Sequence, residues 1–130
     1  MATPEFNYDQ AFSRNIGWVT RPEQQALRGK RVAIAGLGGV GGSHLLTLSR
    51  LGIGAFHLSD FDTFELPNFN RQAGAMMSSI GRKKADVVTA MALDINPELK
   101  ITVFEEGNGE HNVDAFLEGV ELYVDGLDFF

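Results

Sequence analysis

The run Gly36-Leu37-Gly38-Gly39-Val40-Gly41-Gly42 constrains this chain more than any other feature. It follows Arg31 to Ala35, a short β-branched and alanine run, and precedes Ser43 to Leu51, where leucines recur at helical spacing before Gly52. Strand, glycine turn and helix in that order satisfy G-x-G-x-x-G at Gly36, Gly38 and Gly41. Missing Cβ atoms let a phosphate approach the backbone, and the helix that follows offers it unpaired N–H groups. Ala55 to Asp60 reads as a second strand ending in an acid that can take sugar hydroxyls. The segment up to Asp60 therefore predicts a β-α-β unit with a right-handed crossover and a parallel sheet. The pattern says nucleotide without saying which. Glycines serving only close strand–helix packing would not call for the acid at the second strand's end.

Around this unit the chain alternates in the same way. The stretch from residue 1 to about 20 lacks periodicity and reads as an arm that must dock to be ordered. Thr20-Arg21-Pro22-Glu23 supplies a cap, an early proline and an acid for a short helix stopped at Gly29. Between Phe61 and Ile80 lies a connection too long for an ordinary βα loop, which marks it as functional. A helix is predicted from Gly81 through Asp94, ended by Asn96-Pro97. A strand at Ile101 to Phe104, a short helix at Val113 to Leu117 and a strand at Glu121 to Asp125 follow. The expected fold is α/β: a Rossmann-like three-layer domain with a mainly parallel sheet, apparently truncated after the fourth strand.

Composition narrows the function. With 130 residues, 44% hydrophobic and 22% charged, the chain has the profile of one folded domain. A net charge of −6 argues against broad attraction to nucleic acid or anionic membrane, so any anion site must be local. No run reaches the roughly 20 apolar residues of a spanning helix. Met1-Ala2-Thr3-Pro4-Glu5 lacks signal-peptide character, which makes the cytoplasm the expected location. The chain has no cysteine, hence no disulfide, thiolate metal site or thioester nucleophile of its own. His44, His57 and His111 share no ligand spacing, and packing or surface roles are expected for them. Packing is likewise expected of Phe56, Phe61, Phe64 and Phe69, and gap filling of Met76-Met77.

What separates nucleotide users is the second half of the site. An oxidoreductase needs a hydride pocket, whereas an ATP user needs cations for a triphosphate and a leaving pyrophosphate. The chain offers Arg71 in the long loop, Lys84 early in the next helix and Arg14 in the arm.

Six segments, taken in order, carry a resemblance. They are Gly36-Leu37-Gly38-Gly39-Val40-Gly41, Ser59-Asp60-Phe61-Asp62-Thr63, Pro67-Asn68-Phe69-Asn70-Arg71-Gln72, Gly81-Arg82-Lys83-Lys84-Ala85, Ile95-Asn96-Pro97 and Val124-Asp125-Gly126-Leu127-Asp128. Together they resemble the ThiF/MoeB/HesA family, relatives of ubiquitin-activating enzymes. The resemblance divides the chain into residues 1–21, the arm and start of the first helix, and 22–130, the N-terminal half of an adenylation domain. It implies that Gly36, Gly38, Gly39 and Gly41 cradle the nucleotide and that Asp60, with Asp62 nearby, takes the ribose. Asn68, Asn70, Arg71 and Gln72 would line the ATP site, and Arg71 and Lys84 would hold phosphates. Asp128 matches a magnesium-associated aspartate, and Arg14 an arginine that in related dimers reaches the partner's ATP site. The implied activity is ATP- and Mg2+-dependent adenylation of the C-terminal carboxylate of a ubiquitin-like or sulfur-carrier protein, by a homodimer. Such a carboxylate is already ionised at neutral pH and needs no base, so Arg14, Arg71, Lys84 and Asp128 are the expected catalytic set. A relative that adenylates a modified tRNA base finds no support in the acidic balance. An NAD- or FAD-binding oxidoreductase and a non-catalytic scaffold remain as alternatives.

Overall fold

The computed structural model describes residues 3–106 and 109–127. Four strands, β1 (Arg31–Ala35), β2 (Ala55–Ser59), β3 (Lys100–Phe104) and β4 (Leu122–Asp125), form one sheet in the order β3-β2-β1-β4. Every pairing is parallel, with Ala35 beside Ser59 on one side and beside Asp125 on the other. The helices are α1 (Tyr8–Ala11), α2 (Arg21–Arg28), α3 (Gly39–Leu51), α4 (Lys84–Ile95) and α5 (Val113–Leu117). Among the described residues no helix is long and apolar enough to cross a membrane.

Strand alternation sends large and small side chains to opposite faces. Val32, Ile34, Phe56 and Leu58 point to one face, where Leu45 of α3 and Ala85, Val88 and Ala92 of α4 complete the main core. Ala33 and Ala35 point to the other, where α5 lays the fully buried Phe116 across them. His57 shares this second face, its Nδ1 2.7 Å from the Phe116 carbonyl and its ring 5.4 Å from that of Phe104. The expected three layers are therefore present, the second built from Phe116 of α5 over Ala33, Ala35, His57 and Phe104 of the sheet.

Three local results differ from the sequence reading. The elbow helix starts at Gly39 rather than Ser43, and α4 starts at Lys84 rather than Gly81. The long connection after β2 is not irregular throughout: it holds 3-10 turns at Leu66–Asn68 and Met77–Ser79 and buries Phe64. Glycine is a poor interior helix former, which is why the glycine-rich first turn of α3 gives little sequence signal. There the helix is imposed by what surrounds it.

Close approach is the reason for one of those glycines. A Cβ at Gly41 would collide with the carbonyl oxygen of Gly36, so only glycine lets α3 leave β1 so tightly.

Candidate nucleotide site

At the C-terminal ends of the strands the elbow, β2 and β4 surround a cavity of about 400 Å³. Ligands of open parallel sheets bind at this edge, where the crossovers diverge. The floor is Gly36, Gly38 and Gly39, and among the described residues no side chain caps the α3 N-terminus. Its first-turn N–H groups are thus available to an anion.

Asp60 sits at the end of β2 and binds the elbow itself. One carboxylate oxygen accepts the Leu37 N–H at 2.7 Å and the other the Asp62 N–H at 2.7 Å. A carboxylate has about four acceptor positions, so these bonds leave lone pairs for sugar hydroxyls while fixing the group. The acid read from the sequence as a ribose ligand is also the strut between the ends of β1 and β2.

The two cations arrive by different routes. Lys84 opens α4, and its N–H donates to the Asp62 carbonyl at 2.9 Å, while Phe64 N–H donates to the Arg82 carbonyl at 3.0 Å. These bonds tie the start of α4 to the end of β2. The Lys84 side chain is only 8% exposed, lines the cavity, and carries its amine 5.7 Å from the centre of the Phe64 ring. Among the described residues it forms no ion pair. A largely buried ammonium without a carboxylate is costly unless an anion joins it.

Arg71 is exposed and also lines the cavity. Its Nη1 donates to the Pro67 carbonyl at 3.2 Å and to Asn70 Oδ1 at 3.0 Å. Gln72 is buried against Gly38, and among the described residues its Oε1 has no hydrogen-bond partner.

The structure therefore brings Gly36, Gly38, Gly39, Asp60, Asp62, Arg71, Gln72 and Lys84 to one cavity. Others named from the sequence stand outside its lining. Gly41 lies beneath the elbow as a packing contact. Asn68 Oδ1 accepts the Glu65 N–H at 2.9 Å and closes a turn, and Asn70 orients Arg71. Asp128 lies outside the described residues. Arg14 is far away: its neighbour Asn15 donates to the Arg50 and Leu51 carbonyls, at the opposite end of α3. Thirteen helical residues separate the two ends, roughly 20 Å, beyond the reach of a side chain. Arg14 cannot serve the pocket of its own chain.

Phe61, Val40 and Glu106 also line the cavity and were not singled out from the sequence as site residues. The signal available for Phe61 was its place between two acids immediately after a strand.

A parallel sheet in this order, with its cavity over a glycine turn, is the architecture of Rossmann-like nucleotide-binding domains. Sequence comparison gives the particular branch: the model of the ThiF family matches residues 12–130, and the chain belongs to that family. It is 33% identical over 118 residues to the tRNA threonylcarbamoyladenosine dehydratase of Bacillus subtilis, covering 90% of this chain and 46% of the relative. It is 31% identical over 107 residues to the probable adenylyltransferase/sulfurtransferase MoeZ of Mycobacterium tuberculosis, covering 82% of this chain and 27% of that protein. Among solved structures, E. coli tRNA N6-threonylcarbamoyladenosine dehydratase in complex with ATP superposes with a TM-score of 0.88 at 30% identity, covering 93% of this chain and 50% of that one. The chain spans about half the length, or less, of these relatives.

Proposed function

We propose that the cavity binds ATP and that the whole protein adenylates a carboxylate. The observation that carries this reading is the convergence of Arg71 and the ion-pair-free Lys84 on the elbow and Asp60. A dinucleotide brings only a pyrophosphate to such an elbow, whereas a triphosphate and its leaving pyrophosphate give both cations a partner. The solved relative that holds ATP supports the same choice.

In this reading a carboxylate oxygen attacks the α-phosphorus of ATP. The new P–O bond gives an acyl-adenylate, and the bond to the β-phosphate breaks to release pyrophosphate. Arg71 and Lys84 take the charge moving onto the leaving group, and catalysis rests on positioning and electrostatics. Arg14, placed at the far end of α3, would contribute only to the pocket of a second copy, in a homodimer. Magnesium suits the site, since Asp62 and Asp125 bring hard oxygens to the cavity. Bound there it would screen the phosphates.

The carboxylate's carrier admits two readings. A ubiquitin-like or sulfur-carrier C-terminus agrees with the relative named as an adenylyltransferase/sulfurtransferase. A threonylcarbamoyl group on a tRNA adenosine, which retains the carboxylate of threonine, agrees with the B. subtilis and E. coli names. ATP–pyrophosphate exchange by the full-length protein, assayed with each carrier in turn, tests both. Exchange lost in Arg71→Ala and Lys84→Met supports adenylation and identifies the carrier. Tight NAD binding that neither substitution alters would defeat it in favour of an oxidoreductase.

A further inference from the structure

The opposite end of the sheet carries a second cavity, of about 490 Å³. Arg28, Arg31 and Lys100 line it, with Glu98 and with Asn96 from the turn between α4 and β3. Arg31 opens β1 and Lys100 opens β3, and each is in register with Ala55, the first residue of the intervening β2. Residues in register share a face of a parallel sheet, and neighbouring strands stand about 4.8 Å apart. The two cations therefore leave the same face with their Cα atoms roughly 10 Å apart and only a methyl group between them. Strands rise about 3.3 Å per residue, so this row lies about 13 Å from Ser59, which borders the nucleotide cavity.

Charge at this end is unbalanced. Arg28 is matched by Glu98 at 3.0 Å, and the adjacent Lys30 by Glu121 at 3.1 Å. Among the described residues Arg31 and Lys100 have no carboxylate partner. Arg31 Nη1 makes one long hydrogen bond, to the Glu118 carbonyl at 3.4 Å. A Cβ at Gly119 would stand 2.7 Å from the same nitrogen, so glycine there preserves the place of the guanidinium.

Asn96 supplies a second, independent observation. It is 1% exposed, and its Oδ1 accepts the Glu98 N–H at 2.9 Å. Among the described residues no group accepts the hydrogens of its Nδ2. Buried donors are rarely left open in a folded protein unless a water, ion or ligand completes them.

We propose that this cavity is an anion site whose ligand is a phosphate dianion, either inorganic phosphate or the phosphoryl end of a small monoester. A phosphoryl group carries close to two negative charges at neutral pH, which matches the two unpartnered cations. Arg31 offers the planar fork that phosphate oxygens engage in pairs, Lys100 a point charge and Asn96 neutral donors. The site stands apart from the nucleotide cavity and does not rest on the ATP reading.

Titration of the 15N-labelled full-length protein with inorganic phosphate, and separately with glycerol 3-phosphate, at an ionic strength held constant with chloride, tests this. The Asn96 side-chain amide signals and the backbone amides of Gly54 and Lys100 are expected to move and to saturate, in Lys84→Met as in the parent. Arg31→Gln is expected to weaken binding about 10-fold or more, and the more exposed Lys100→Gln about 2- to 5-fold, each in a variant whose spectrum stays dispersed. Tighter binding of glycerol 3-phosphate assigns the site to an organic monoester, and equal or weaker binding assigns it to the free ion. Signals that stay still, movement confined to Gly38 and Gly39 at the elbow, or an affinity that neither glutamine variant alters overturns the proposal and leaves the ATP site standing.

Discussion

The two ends of α3 are built to opposite specifications. At its N-terminus, over the glycine elbow, no side chain among the described residues caps the helix, and its first turn borders the cavity. At its C-terminus the carbonyls are crowded with partners from distant segments. Tyr8 donates its hydroxyl to the Gly52 carbonyl at 2.7 Å, Gln24 Nε2 donates to the Leu51 carbonyl at 2.9 Å, and Asn15 Nδ2 to the same carbonyl at 3.2 Å. Gly52 takes the left-handed conformation at φ 108° that closes the helix. One end keeps its hydrogen-bonding capacity for a ligand, and the other uses it to hold the N-terminal arm. A helix fixed at the rear can present bare N–H groups at the front without sliding when an anion arrives. The N-terminal arm is thus part of the site's support although it contributes nothing to the cavity wall.

The largest test is to break the front end sterically. Gly41→Ala should drive α3 off β1, costing about 3 kcal/mol and abolishing ATP binding together, as measured by thermal unfolding and titration. Retention of both would mean that the tight exit from β1 is not required.

Lys84→Met should separate ligand binding from folding. ATP affinity is expected to fall by about 1.5–3 kcal/mol equivalent while the melting temperature holds or rises, because a buried amine that lacks a carboxylate is replaced by an apolar chain. A large drop in melting temperature with little change in affinity would place the amine in the fold rather than the site.

Tyr8→Phe examines the rear end. Loss of the hydroxyl removes its bonds to the Gly52 and Gln24 carbonyls and the one accepted from Gln24 Nε2, for about 1–2 kcal/mol of stability. ATP affinity of the folded protein should move little. Burial raises the Tyr8 phenol pKa, with the Gln24 hydrogen bond opposing it. Its neutral form is the one the fold favours, so its contribution is complete below the ordinary phenol value near 10 and declines as pH climbs through the raised one. Phe at position 8 should flatten that part of the alkaline unfolding profile.

The smallest effect belongs to the α2 cap. Thr20 Oγ1 accepts the Glu23 N–H at 3.2 Å, and Glu23 accepts the Thr20 N–H at 2.8 Å. Thr20→Ala should cost about 1 kcal/mol, read from chemical denaturation. The Thr20 backbone bond lowers the Glu23 pKa. The stabilisation present above the ordinary carboxylate range is therefore lost as pH falls through the lowered value. Because alanine keeps the backbone donor and removes only the hydroxyl, the smaller of the two hydrogen-bond causes, most of that acid limb should persist in the variant.

Local chemistry explains what was legible. The elbow, the acid after β2, the helix cap at Thr20 and the parallel alternation each depend on residues within one element or its neighbour, where spacing carries the information. Asn68 and Asn70 show the limit: the family resemblance marked them for the ATP site, and only the structure shows that their side chains are engaged with Glu65 N–H and Arg71 Nη1. Phe61 shows the converse, since a phenylalanine beside three others reads as core until its exposure is known. Tyr8 gave no signal because its acceptor is 44 positions away.

The sequence by itself determined the order of strands and helices, the place of the glycine turn and the charges available to a polyanion, because these follow from periodicity, missing side chains and residue type. Tertiary structure alone decided which charges converge. Lys84 reaches the cavity because α4 is bonded to the end of β2, and Arg14 stands away from the cavity of its own chain because the arm docks at the opposite end of α3. Convergence is a matter of distances between segments remote in the chain, and such distances are set by packing.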